Sequence, residues 1–503
     1  MSNHLISGLL PVGHPAERPC LITPGARDYS YGEVKLLSAT YAAALVSLGV
    51  KPGDRVAAQV EKSPEALFLY LGCVRAGAVF LPLNPAYTLS EVEYFVGDAQ
   101  PALIVGDPAR REGLAEIAKA NRARFETLGA AGEGSLAEIV AAQSGEWSDI
   151  PRVPNDLAAI LYTSGTTGRS KGAMLTHANL RSNAEVLVET WCFTSNDVLI
   201  HALPIFHTHG LFVAPNVSLV SGATMIFLPK FDPREMLSLF PGATAVMGVP
   251  TFYTRLLDQP GLKREACANI RLFVSGSAPL LAETHRAFRE RTGHAILERY
   301  GMTETSMNTS NPYDGDRVAG SVGFPLPGVE IRVADPESGR KLPVGEIGMI
   351  EIRGPNVFAG YWQMPEKTRQ EFRSDGFFIS GDLGRLDERG YLWIVGRGKD
   401  IVISGGFNVY PKEVELEIDA LPGVNESAVI GLPHRDFGEA VTAVVVSNGA
   451  TAPGEAEIIA ALRPRLAGYK LPKRVIFVDA LPRNTMAKVQ KNVLRERFKE
   501  LYE

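Results

Sequence analysis

Tyr162 to Gly172 reads YTSGTTGRSKG, a run of glycines and hydroxyl residues that ends in an arginine and a lysine. Glycine lets a backbone approach a ligand closely, hydroxyls donate to oxyanions, and Lys171 adds a point charge. Together they suit a phosphate. The Walker loop ends in Gly-Lys-Ser/Thr, whereas here Ser170 precedes Lys171 and Gly172 follows it. P-loop kinases and GTPases are thereby excluded. A Ser/Gly-rich loop is also ordinary turn chemistry, so this one is read together with three other stretches. VSGSAPL, Val274 to Leu280, is a strand ending in small residues and a proline, where backbone can lie against a planar ligand. LERYGMTET, Leu297 to Thr305, follows it. FISGDLG, Phe378 to Gly384, sets Asp382 at a strand end, suited to accept hydrogen bonds from ribose hydroxyls.

These residues need a scaffold, and helical and strand-like runs alternate from the start. EVKLLSATYAAALVSLGV reads as a helix, followed by the turn KPGD and the strand RVAAQV. SPEALFLYLGCVRAG is a second helix, with AVFLPL as its strand. Thr88 and Glu91 form a capping box before VEYFVGDAQ, and ALIVG follows. Such alternation predicts an α/β fold with largely parallel sheets. At IVGRGKDIVISGG, Ile394 to Gly406, glycines and charges interrupt the strands. We therefore place a large N-terminal domain at 1–396 and a small α+β domain at 397–503. In the latter Pro411 opens the helix KEVELEIDAL, before the strands ESAVIGL and AVTAVVVS, the helix EAEIIAALRPRL and the strand RVIFVDAL. A glycine-rich joint between domains suggests a site closed by motion of the smaller one.

Composition narrows the partners. A hydrophobic fraction of 45% with 21% charged residues is that of a soluble globular chain. A net charge of −5 gives no broad electrostatic reason to bind nucleic acid or anionic lipid. The four cysteines are scattered with no CxxC pair, which fits a reducing cytoplasm and argues against zinc. No basic region precedes the first apolar stretch, and ELYE at the end is no peroxisomal signal, so a cytoplasmic location is expected. Gly210 to Pro229 is uncharged and long enough to span a bilayer. Its Pro215, Asn216 and Gly222 point instead to a buried helix, a turn and the strand ATMIFL.

Taken in order, YTSGTTGRSKG, YGMTE, GD, GRGKD and the late lysine of LPRNTMAKVQKNVLR resemble the adenylate-forming superfamily. This comprises acyl-CoA synthetases, luciferases and the adenylation domains of peptide synthetases. The resemblance runs from LNPAYTLSEVEY to the C-terminal stretch, nearly the whole chain. It implies ATP, Mg²⁺ and coenzyme A, and activation of a carboxylic acid as an acyl-adenylate. By it Thr163, Ser164, Gly165, Thr166, Thr167, Gly168 and Lys171 grip the β- and γ-phosphates. Ser277, Ala278, Pro279, Glu298, Gly301 and Met302 border the nucleotide. Tyr300 stacks on adenine, Thr303 meets the α-phosphate, Glu304 holds Mg²⁺, and Asp382 and Arg397 hold the ribose. The same resemblance brings Lys488 to the substrate carboxylate and α-phosphate, as the catalytic lysine. One departure is Ala487, where the family has glycine; if positive φ is needed there, alanine costs ~1 kcal/mol.

The resemblance also implies a second, thioester-forming conformation. In it the small domain turns at Lys399, and Ser404, Gly405 and Gly406 face the pantetheine arm of coenzyme A. The acyl pocket of the family is lined by the histidine of PIFHTHGL, the helix GVPTFYTRL, SGSAP and the flanks of YGMTE. Arg299 before Tyr300, and Arg255 on the pocket helix, depart from the apolar pockets used for fatty or aryl acids. An unpaired buried arginine is expensive. Either a second substrate carboxylate pairs with it, or Glu298 or Glu290 does. ERYGMTETSMNTSNPYDGDRVAGSVG resembles malonyl-CoA synthetases. This implies that Arg299 binds a distal carboxylate with His207 and Ser277, while Thr208 and Met307 border the α-carbon of malonate or methylmalonate. The alternatives are an aryl or medium-chain acyl-CoA synthetase and a free-standing adenylation enzyme that loads a carrier protein. PRNTMAK also resembles the surroundings of acetylated lysines in related synthetases, so a protein acetyltransferase acting on Lys488 is an expected partner.

Overall fold

Ser30 and Thr88 show how the local signals become helices. Ser30 Oγ accepts from Glu33 N at 3.2 Å and Ser30 N donates to the Glu33 carboxylate at 2.8 Å. Thr88 and Glu91 repeat the reciprocal pair ahead of the helix Leu89–Ala99. Each satisfies two backbone donors that a helix start would otherwise strand. The computed structural model describes residues 2–163, 170–404, 407–434, 436–447, 453–466, 468–484 and 488–502, with the backbone alone at 399, 407 and 408.

Met1–Glu330 with Ile352–Phe378 form one compact unit, and Ile331–Glu351 with Ile379–Glu503 form a second. The sequence boundary at 396/397 falls within the second. In the first unit a six-stranded sheet runs in the order Arg124–Thr127, Leu103–Gly106, Arg55–Gln59, Val79–Pro82, Leu157–Thr163, Lys171–Thr176. Its pairs are parallel except the last, where Thr163 and Lys171 sit opposite each other in antiparallel register. The two ends of the glycine-rich stretch are thereby fixed on one sheet.

A nine-stranded sheet in the same unit orders Phe324–Pro325, Ser306–Ser310, Leu297–Met302, Leu272–Ser275, Ala245–Gly248, Val198–His201, Thr224–Phe227, Pro19–Ile22 and Tyr29–Ser30. From Leu297–Met302 to Pro19–Ile22 all pairs are parallel. Such strands are covered on both faces and so read as short continuous apolar runs. The uncharged stretch after His209 divides as expected. A π turn His209–Val213 leads into the helix Ala214–Ser221, which stops at Gly222 with φ 76° before the strand Thr224–Phe227. Among the described residues no helix is long and apolar enough to cross a membrane.

In the second unit a sheet orders Phe407–Val409, Val402–Ser404, Gly438–Ser447 and Val424–His434, with Arg474–Phe477 also paired to Gly438–Ser447. One face packs on Val414 and Ile418 of the helix Pro411–Asp419, the other on Leu494 of Lys491–Phe498. The helix read through Leu466 ends at Leu462: Arg463 still holds helical φ and ψ, but Pro464 has no N–H to donate to the preceding turn. A further four-stranded sheet runs Glu330–Ala334, Gly348–Arg353, Phe378–Leu386, Leu392–Arg397.

Candidate active site

Arg299 lies on the strand Leu297–Met302, where successive side chains point to opposite faces. Glu298 therefore cannot serve it. Glu298 is buried and its Oε1 accepts from Leu280 N at 3.1 Å, which ties down the end of SGSAPL. Arg299 is 3% exposed, and among the described residues its Nε and Nη2 have no hydrogen-bond partner. Neither intraprotein ion pair left open by the sequence is formed. Burial pulls the pKa of Arg299 down to about 9, with Tyr253 opposing. Gly276 makes the room, since a Cβ there would stand 2.4 Å from the guanidinium carbon.

The loop 202–210 closes on the same region. His201 ends the strand Val198–His201, with Nε2 2.7 Å from Gly210 O and Nδ1 2.7 Å from Nζ of the buried Lys62. That closure is tight enough to require glycine, as a Cβ on Gly210 would meet Pro204 O at 2.0 Å. Thr208 and His209 are buried, and His207 half-buried. His209 Nδ1 lies 3.3 Å from Ser277 Oγ, while His209 Nε2 and Thr208 Oγ1 have no partner among the described residues. Burial, then the charge of Arg299, hold His209 well below the usual imidazole range, so its ring is neutral. His207, the residue indicated by the sequence, uses its Nδ1 to accept from His209 N at 3.3 Å. Ser277 holds φ at 70°, a conformation that costs a non-glycine residue energy. Met307 is buried, its backbone held by Asn183 at 3.2 and 2.9 Å. Arg255 is exposed on the helix Pro250–Leu257 and is not drawn into this group. A desolvated cation beside a neutral imidazole and hydroxyls is a receptor for a carboxylate.

Lys171 and Glu304 belong to a second group in the same unit. Lys171 is buried, with Nζ 3.0 Å from Glu371 Oε1 and 4.1 Å from the centre of the Tyr361 ring. Glu304 is buried in the turn between Leu297–Met302 and Ser306–Ser310, and its Oε1 accepts from Tyr361 Oη at 3.0 Å. Tyr361 Oη also lies 2.7 Å from Glu371 Oε2. Ser164, Gly165, Thr166, Thr167 and Gly168 lie outside the described residues. The described residues contain no cluster of three metal-ligating side chains. One buried carboxylate suits Mg²⁺, which takes most of its ligands from substrate phosphates and water. Tyr300, Gly301, Met302, Thr303 and Ala278 are half-buried and Pro279 is exposed. Tyr300 Oη lies 3.9 Å from Met302 Sδ, and the strand register shifts between Tyr300 and Gly301.

In the second unit Asp382 pairs in register with Arg397, Oδ1 to Nε 3.0 Å. Asp382 lies within the strand Phe378–Leu386 rather than at its end. A φ of 74° at Gly381 and a register shift after Leu383 let the strand bend and continue. Ser404 is buried at the end of Val402–Ser404, the backbone of Lys399 lies in the single turn Gly398–Asp400, and Gly405, Gly406 and Ala487 lie outside the described residues. Lys488 is exposed, and its backbone N donates to Asn484 Oδ1 at 3.0 Å beside the bridge Arg483–Val489.

Sequence reasoning missed Tyr361 and Glu371, and reached Gly276 and His209 only as members of the stretches SGSAP and PIFHTHGL. His209 shares a motif with His207, and only the fold of the loop separates them. Glu371 stands 200 residues from Lys171, and no spacing signals that contact.

Residues 11–362 of the chain match the model of AMP-binding enzymes, and residues 413–488 that of the AMP-binding enzyme C-terminal domain. It is 38% identical over 481 residues to a feruloyl-CoA synthase of Amycolatopsis sp, covering 94% of this chain and 95% of that one. It is 35% identical over 482 residues to a malonate–CoA ligase of Arabidopsis thaliana, covering 89% and 78%. The crystal structure of ATP-bound MatB from Rhodopseudomonas palustris is similar over 100% of both chains, at 61% identity and a TM-score of 0.98. Both matched regions hold the residues traced above, Lys171 and Glu304 in one and Lys488 in the other, and on that ground the chain belongs to the AMP-binding enzyme family.

Proposed function

We infer that this chain joins malonate, or methylmalonate, to coenzyme A in two steps, through an acyl-adenylate, with release of AMP and pyrophosphate. The observation that carries the acid is Arg299, a buried guanidinium near His209 and Ser277 with two nitrogens that have no partner among the described residues. An aryl or fatty acid would leave that cation desolvated and uncompensated. A distal carboxylate supplies both the charge and the acceptors it lacks. His209, neutral, donates or accepts through Nε2, and Thr208 and Met307 border the α-carbon.

A carboxylic acid has a poor leaving group, and attack of its carboxylate on the α-phosphate of ATP replaces it with AMP. The transition state is rich in charge, so positioning and cationic stabilisation carry the acceleration. Lys171 and the loop 163–168 hold the β- and γ-phosphates, Tyr300 stacks on adenine, and Thr303 meets the α-phosphate. Glu298 and the backbone of 277–279 and 301–302 border the nucleotide, while Asp382 and Arg397 take the ribose. Mg²⁺, held by Glu304, supplies charge neutralisation along the phosphates. Lys488 bridges the substrate carboxylate and the α-phosphate. For the second step the chain turns at Lys399 and presents 404–406 to the thiol arm. Acetylation of Lys488 removes its charge and switches off the first step.

The test is a panel of mono- and dicarboxylic acids assayed for ATP- and coenzyme A-dependent thioester formation. Malonate or methylmalonate should lead, with AMP formed one for one. A lead for butyrate or ferulate would overturn the acid assignment, and product formation without coenzyme A would overturn the thioester step.

A further inference from the structure

We propose that Tyr361 is a positioning residue of the ATP site, its hydroxyl coupling the Glu304 carboxylate to Glu371, the counter-ion of Lys171. The proposal rests on the nucleotide and Mg²⁺ reading given above. Chain geometry puts Tyr361 there. Met174 N donates to Gly360 O and Trp362 N donates to Gly172 O, so 360–362 lies along the strand Lys171–Thr176. Tyr361 is 3% exposed and packs edge-on against Phe358 at 4.8 Å.

A phenol has one proton to donate, and an ionised carboxylate only accepts. Here Oη lies 3.0 Å from Glu304 Oε1 and 2.7 Å from Glu371 Oε2, two acceptors competing for that proton. The competition is governed by the cations on Glu371. Lys171 and Lys367 both reach its Oε1, at 3.0 and 2.8 Å. Burial opposes ionisation of Glu371, but these donors and Tyr361 outweigh it and keep the carboxyl below its usual range. With two ammonium groups on Glu371, the phenol proton is shared between the two carboxylates, Oη standing 2.7 Å from one and 3.0 Å from the other. When a triphosphate draws Lys171 away, Lys367 still balances Glu371, which is not left as an unpaired buried charge. The phenol proton then shifts toward Glu371 and bares the Glu304 oxygen for a cation. Phosphate binding at Lys171 and cation binding at Glu304 are thereby linked through one hydroxyl.

Tyr361→Phe isolates the hydroxyl, because the ring, its contact with Phe358 and its face toward Lys171 remain. The readout is the dissociation constant of ATP in excess Mg²⁺ against that in EDTA, by calorimetry on the whole chain. The gain given by Mg²⁺ should fall about tenfold in Tyr361→Phe, the scale of one hydrogen bond to a charged group. The KM for malonate should stay at the parent value. Glu371→Gln, which keeps the shape and removes the anion, should reduce the same gain. An unchanged Mg²⁺ gain in both variants overturns the coupling while leaving the reading of Glu304 intact. A parent protein that binds ATP equally with Mg²⁺ and with EDTA overturns both.

Discussion

Arg397 and Asp382 face each other across two antiparallel strands, Nε to Oδ1 3.0 Å, with Asp382 buried and Arg397 partly open to solvent. The pair orients a carboxylate whose role, on this account, is to accept from ribose hydroxyls. Asp382→Ala should raise the KM for ATP by ~10-fold or more, as expected for loss of a charge-assisted hydrogen bond. The preference for ATP over 2′,3′-dideoxy-ATP should collapse with it. A variant that keeps that preference would place the ribose elsewhere.

Gly276 is the seat of the Arg299 guanidinium. A Cβ there would stand 2.4 Å from its central carbon, so the guanidinium would have to shift. Gly276→Ala should displace the guanidinium at an overpacking cost of ~1–3 kcal/mol. Malonate efficiency should then fall several-fold to a hundredfold, with the ATP dissociation constant held. Parent-like malonate kinetics would show that Arg299 is seated by other contacts.

Burial brings Arg299 to about 9 in the free protein, and a bound carboxylate restores the charged form. If malonate binds at Arg299, it needs the protonated guanidinium, so binding should take up a proton above that pH. The sign is fixed: affinity is flat below pH about 9 and falls tenfold per unit above it. The nearby titratable groups are His209, neutral throughout that range because burial and Arg299 depress it, and Tyr253, which burial raises. Calorimetric titration of malonate from pH 7 to 10 reads this directly, with flat affinity to the top of the range as the contrary result.

Lys488 separates the half-reactions. Neutralising it should cost ~10²–10³ in adenylation, the scale of one donor to a developing oxyanion. Acetyl-lysine at 488 should do the same, while thioester formation from preformed malonyl-adenylate largely survives. Equal loss in both steps would recast the lysine as structural.

The sheets were legible because their strands are short apolar runs separated by helices with explicit caps, as at Thr88. Legibility failed where one residue decides between neighbours. PIFHTHGL offers two histidines, and only the closure of His201 on Gly210 and Lys62 turns His209 rather than His207 toward Ser277. Glu298 stayed open as partner of Arg299 until Leu297–Met302 proved to be a strand, in which adjacent residues face apart. Asp382 sits inside a strand rather than at its end, because the positive φ of Gly381 bends the strand without ending it. Tyr361 and Glu371 meet Glu304 and Lys171 only through tertiary folding, and a single sequence carries no trace of that.

The most direct measurement is kcat/KM for malonate and for butyrate in the parent and in Arg299→Ala. The account predicts that malonate efficiency falls ~30-fold or more, the cost of leaving a desolvated carboxylate without its cation. Butyrate, which has no distal charge, should hold or improve. Malonate efficiency unchanged in Arg299→Ala, or a parent that prefers butyrate, would contradict it.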